Sequence, residues 1–167
     1  MKHILLLLIP IMLLAFSCKK EGCTDSFATN YDRSAEKDDG SCLIPGCKDM
    51  DAINYNPNAD VANESCEYEG RVVFWKSQAT SEAMVDTGAT AIEIFLDGQL
   101  VGRESASSYL VNTPDCDAAN LLSFTKNLGG DKNKVVNIII KDAQDDMIIF
   151  KATTIEIDAN RCLVYEM

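Results

Sequence analysis

Two copies of one cysteine-bounded unit, set 24 residues apart, constrain this 167-residue chain more than any other feature. The first reads Gly-Cys-Thr-Asp-Ser-Phe-Ala-Thr-Asn-Tyr from Gly22 to Tyr31 and closes with Asp38-Asp39-Gly40-Ser41-Cys42. The second reads Gly-Cys-Lys-Asp-Met-Asp-Ala-Ile-Asn-Tyr from Gly46 to Tyr55 and closes with Ala62-Asn63-Glu64-Ser65-Cys66. Asp25 matches Asp49, Ala28 matches Ala52, Asn30-Tyr31 matches Asn54-Tyr55, and Ala35 matches Ala59. So many identities without a gap mean duplication. Each copy has few large apolar residues: Phe27 and Tyr31 in the first, Met50, Ile53 and Tyr55 in the second. A core that small needs a staple. Repeat symmetry favours Cys23 with Cys42 and Cys47 with Cys66, each closing a loop of about 20 residues worth about 3 kcal/mol in the chain-entropy picture. Six cysteines allow about 15 pairings, and Cys42 with Cys47, across Leu43-Ile44-Pro45, is the principal rival.

The repeats follow an export signal. Met1-Lys2-His3 is a short basic start, and Ile4 to Leu14 is an apolar run of 11 residues broken by Pro10. A membrane span needs roughly 20 apolar residues, so residues 1–17 read as a removable signal peptide. Ser17-Cys18 at its end resembles a bacterial lipobox, with Ala15 where leucine is usual and Phe16 where a small residue is usual. That resemblance implies cleavage before Cys18, lipidation of Cys18, and a tether over residues 18–21. The alternative is an ordinary secretory signal with a spare cysteine. Parity favours lipidation: seven cysteines less Cys18 leave an even six. Several buried acyl chains at ~0.8 kcal/mol per methylene hold a protein stably to a membrane. Lys19-Lys20-Glu21 lacks the aspartate associated with inner-membrane retention, which points to the outer membrane, on its periplasmic or cell-surface face.

The segment 22–69, as units 22–45 and 46–69, resembles a cysteine-rich repeat of secreted and surface proteins of Bacteroidetes. Its form is Gly-Cys-Thr-Asp, then Ala-x-Asn-Tyr-x-Pro-x-Ala, then Asp-Asp-Gly-Ser-Cys-x-Tyr. The first copy has Arg33 where proline is usual; the second keeps Asn56-Pro57 but ends Asn63-Glu64-Ser65-Cys66. The resemblance implies a surface lipoprotein with an extracellular spacer or interaction module and no fixed ligand.

Residues 70–167 change character. Short apolar-alternating runs are separated by turn residues, which predicts strands over 71–77, 90–97, 99–104, 121–126, 134–141, 147–152, 155–158 and 161–166. Asp97-Gly98 is a two-residue hairpin signal, and 78–88 reads as a polar loop. The whole is expected to be mostly β: a disulfide-stapled irregular repeat module, then an immunoglobulin-like or transthyretin-like antiparallel β-sandwich. Pairing Cys116 with Cys162 completes the cysteine count. This half also resembles small β-domains of Bacteroidetes lipoproteins, through Val72-Val73-Phe74-Trp75, Pro114-Asp115-Cys116 and Cys162.

Charge and residue inventory narrow the function. With Lys2 gone, 14 basic residues face 26 acidic ones, a balance that repels nucleic-acid phosphate. The only histidine is His3, so the mature chain has no Ser-His or Cys-His nucleophile system. The expectation is no enzyme and no catalytic residue, although a pair of carboxylates 5–10 Å apart would be the one route left to hydrolysis. The leading reading is a membrane-anchored envelope lipoprotein with a stalk and a binding or structural β-domain. Its partner would be an extracellular or periplasmic protein or glycan. The alternative is a calcium-dependent adhesion or glycan-binding module. Hard cations want oxygen ligands at alternating positions closed by a bidentate acid. Asn56, Asn58, Asp60 and Glu67 have that spacing, with Val61 in place of the tight-turn glycine. The competing reading makes the same Asn, Asp and Ser residues turn formers. Trp75 and Tyr109 are the candidate ligand-stacking rings. Trp75 is alternatively a core residue beside an inter-sheet disulfide.

Overall fold

The computed structural model describes residues 19–167; the signal peptide and Cys18 lie outside the described residues. The described chain is mostly β. It divides into two compact units, one ending at Ile44 and the other beginning at Pro45. The division falls between the two repeats.

The first unit is the first repeat, closed by the Cys23–Cys42 disulfide. Cys23 and Ala28 are its buried apolar side chains, at 1% and 7% exposure. Turns, not regular elements, carry its backbone. Side-chain oxygens of Asp25, Asp32, Asp38 and Asp39 accept from the N–H two residues on, in Phe27, Ser34, Gly40 and Ser41. The Asn30 amide spans the disulfide: its Nδ2 donates to Ser41 O at 2.6 Å and its Oδ1 accepts from Leu43 N at 2.8 Å.

The second unit opens with the second repeat, closed by Cys47–Cys66. Short strands β1 (Pro45–Gly46) and β2 (Val61–Ala62) pair in parallel there. Then come β3 (Tyr68–Trp75), helix α1 (Gln78–Asp86), β4 (Ala91–Leu96), β5 (Gln99–Ser105) and β6 (Ser123–Gly129). The chain ends with β7 (Asn133–Asp142), β8 (Ile149–Asp158) and β9 (Cys162–Glu166). One sheet has the order β6-β3-β9 and the other β5-β4-β7-β8.

The sheets face each other through alternating apolar residues. Ile92, Ile94 and Leu96 of β4 and Val136, Ile138 and Ile140 of β7 are at most 1% exposed. Val72 and Phe74 of β3 and Leu128 of β6 meet them in the same cluster, which also takes in Cys47, Ala52 and Tyr68. Each such side chain contributes on the order of 1.5–3 kcal/mol by leaving water. Asp97 and Gly98 both have positive φ, 47° and 79°, as a two-residue β4–β5 turn requires. Lys126 of β6 ties the two sheets by pairing with Asp97 at 2.9 Å.

Two expectations are corrected. The segment 78–88 is not a loop but contains α1, capped where Ser77 Oγ accepts from Thr80 N. Its buried residues are only Ser81 and Met84, so it shows no apolar stripe in sequence. The runs 147–152 and 155–158 are one strand, β8, because Thr153 and Thr154 continue the ladder to β7. The two sheets are antiparallel as expected, apart from one edge pair. β9 runs parallel to β3 along the sheet edge, Arg71 opposite Cys162 and Trp75 opposite Glu166. A parallel pair needs a long connection, and here the rest of the domain supplies it.

Candidate ligand cleft

Of the calcium candidates, Asn56 is a turn former through its side chain, while Asn58, Asp60 and Glu67 make these contacts through their backbones. Asn56 Oδ1 accepts from Asn58 N at 3.0 Å, an Asx turn equivalent to that of Asp32. Glu67 is held through its backbone: its N–H donates to Asn54 Oδ1 at 2.9 Å and its carbonyl accepts from Ile53 N at 2.8 Å. Asp60 accepts through its carbonyl from Lys48 Nζ at 3.4 Å. Among the described residues, no three His, Cys, Asp or Glu side chains converge as metal ligands.

The second repeat carries an electrostatic latch instead. Asp49 Oδ2 accepts from Tyr68 Oη at 2.8 Å and pairs with Lys132 in the turn between β6 and β7. Lys132 also approaches Asp51 Oδ2 at 3.5 Å and lies 5.8 Å from the centre of the Tyr68 ring. The Lys132 ammonium first, then the Asp51 N–H and the Tyr68 hydroxyl, hold the Asp49 carboxyl down at about 2. The same contact pushes the Lys132 and Tyr68 values up.

The two ring candidates come together. Trp75 is 9% exposed and Tyr109 is 46% exposed. Both line one cleft of about 150 Å³, together with Lys76, Glu104, Ser108 and Asn120. Val72 and Phe74 point into the inter-sheet core, so alternation turns Trp75 to the other face of β3, where the segment after β5 covers it. Leu110 N donates to Lys76 O at 2.9 Å and Phe74 N to Leu122 O at 2.9 Å, which seats that segment on β3. Trp75 is thus a wall of the cleft, not an open stacking platform. Nor is it beside a disulfide. Cys116–Cys162 sits at the other end of the β3–β9 ladder, where Arg71 Nη2 donates to Cys116 O and Asp117 Oδ1.

Lys76 is the residue that sequence reasoning missed. Its side chain is 1% exposed, pairs with Glu104 Oε2 at 2.9 Å and donates to Ser108 Oγ at 3.3 Å. A buried lysine without a partner would be costly, and pairing with a half-buried carboxylate offsets that cost. Asn120 holds φ at 65° on the rim, a conformation that asparagine tolerates better than most residues. Its amide, the Tyr109 hydroxyl and Glu104 Oε1 have no hydrogen-bond partner among the described residues. A lysine ending an apolar strand, Val72 to Trp75, was the one signal available in sequence.

No family model matches this chain, no curated protein matches it, and no solved structure matches it.

Proposed function

We propose that the chain is a lipid-anchored, non-enzymatic envelope protein. Cys18 is the attachment point, the first repeat is a disulfide-stapled spacer, and the unit that follows is a binding domain whose working surface is the Trp75–Tyr109 cleft. The observation that carries this reading is the cysteine pairing. All six cysteines among the described residues are in disulfides, which suits an oxidising compartment outside the cytosol. The signal-like leader and the Ser17-Cys18 boundary support the same address. The mature chain carries no histidine, and the cleft offers one carboxylate already committed to a lysine, which supports binding over catalysis.

The test is metabolic labelling with a fatty acid, followed by membrane fractionation. Label should appear in the wild-type chain, co-sediment with outer membrane, and vanish in Cys18→Ser. An unlabelled wild-type chain, or label that persists in Cys18→Ser, would overturn the anchor. Protease treatment of intact cells then reads which leaflet carries the protein.

A further inference from the structure

We propose that the Trp75–Tyr109 cleft binds one neutral, hydroxylated ring, the terminal sugar unit of an uncharged glycan. The inference rests on the cleft being the binding surface of the envelope protein described above, and it names the ligand class.

Size comes first. At about 150 Å³ the cleft is well below the roughly 300–1,000 Å³ of pockets that hold drug-sized molecules. It suits a single ring or terminal group. Chemistry comes second. Lys76 Nζ and Glu104 Oε2 are 2.9 Å apart, side by side in the wall. Lys76, at 1% side-chain exposure, is sealed behind the wall and fixes Glu104 in place. Glu104 Oε1 remains open as an acceptor. The polar groups a ligand meets are thus the Glu104 carboxylate, 21% exposed, and the exposed Asn120 side chain. An acceptor and an amide along one cleft suit hydroxyls, which both accept and donate. The Asn120 amide adds a donor and an acceptor on the rim. The Tyr109 ring, 46% exposed, supplies an apolar wall for the C–H face of a ring, with the largely buried Trp75 behind it.

Charge decides against an anion. Lys76 and Glu104 cancel, and the mature chain has 26 acidic against 14 basic residues, so a carboxylate or phosphate approaches a repulsive surface. A cation would have to displace Lys76 from Glu104 while the buried ammonium lost its partner.

Trp75 is the chain's only tryptophan, so its emission reports on the cleft directly. The experiment titrates the full-length, oxidised chain in detergent with neutral hexoses, deoxyhexoses and N-acetylhexosamines, and with uronic acids at matched ionic strength. The expected result is a saturable change in Trp75 emission with at least one neutral sugar and none with the uronic acids. Asn120→Gly, which keeps the positive φ, and Tyr109→Ala should each weaken that binding about tenfold with an unchanged melting temperature. Overturning results are no saturable change with any neutral sugar, an equal or stronger response to uronic acids, or full affinity in both variants. If acyl labelling fails while the titration succeeds, the anchor is wrong and the ligand class stands; the reverse outcome removes the ligand class alone.

Discussion

The two repeats share a frame and differ in what they hold. Each has a disulfide between cysteines 19 residues apart. Each has an asparagine amide bridging that disulfide, Asn30 or Asn54, and Asx turns at matching positions, Asp25 and Asp49, Asp32 and Asn56, Asp39 and Asn63. In the first repeat the loaded carboxylate is Asp32. It is bonded to Lys20, two residues before the repeat, at 2.6 Å and to Ser34, and the Lys20 contact holds its pKa well below the usual carboxylate range. In the second repeat that position is the neutral Asn56, and the load moves to Asp49, gripped by Lys132 and Tyr68. The disulfide and the turns make the module. The charged contact differs between the copies, Asp32 with Lys20 in the first and Asp49 with Lys132 in the second. In the second it accompanies the packing of Cys47, Ala52 and Tyr68 into the sandwich core.

The largest expected break in that parallel comes from the disulfides. Cys47 and Cys66 belong to the sandwich core or pack against it. Cys47→Ser with Cys66→Ser should cost about 3 kcal/mol, on the order of 10 °C in the melt of the second unit by calorimetry. An unmoved melt would mean that the second repeat lends the sandwich no stability. Cys23→Ser with Cys42→Ser should instead abolish hydrogen-exchange protection within 22–44.

A glycine in the shared motif sharpens the comparison. A Cβ on Gly46 would sit 2.9 Å from Ala59 Cβ, whereas one on Gly22 would sit 3.3 Å from Ala35 Cβ. Gly46→Ala should therefore cost about 1–3 kcal/mol by overpacking, and Gly22→Ala clearly less. Equal losses in denaturant titrations would show that the tighter seat in the second repeat relaxes freely.

The amide clamps should behave alike. Asn30→Ala and Asn54→Ala each remove a donor and an acceptor flanking a disulfide, and about 1 kcal/mol is expected from each. A much larger loss at Asn54 would assign it a role in docking to the sandwich.

Acid separates the repeats more finely. Asp49 is depressed to about 2 from 3.8, so its contribution is fully present above pH 3.8 and is lost as pH falls through 2. Lys132→Met should flatten this acid limb of the second unit's stability curve. An unchanged limb would mean that the turn and the Tyr68 hydroxyl hold Asp49 without Lys132. The smallest effect is expected from calcium. Asn56 Oδ1 already accepts from the Asn58 N–H in its own turn, and among the described residues no three acidic side chains converge, so millimolar calcium against EDTA should leave the melt in place. A rise of several degrees, lost in Asp60→Ala and Glu67→Ala, would reverse that reading.

What sequence alone determined was local. Repeat symmetry picked out Cys23–Cys42 and Cys47–Cys66, because two copies of one module close the same way. Asp97-Gly98 marked its hairpin, because few residues accept positive φ at both turn positions. Alternation marked β4 and β7, where every second residue from Ile92 to Leu96 and from Val136 to Asp142 is buried. Tertiary structure decided the rest. Helix α1 has no periodic apolar face to betray it and depends on a cap at Ser77 and on burial of Ser81 and Met84. The parallel β3–β9 edge joins residues about 90 positions apart, and nothing in either segment names the other. The cleft assembles Trp75, Lys76, Glu104, Tyr109 and Asn120 from β3, β5 and the segment after it. Each reads alone as a core ring, a strand end or a loop residue. Only the packing of that segment onto the outer face of β3 makes them one site, because long-range contacts are selected by the whole core and not by any window of sequence.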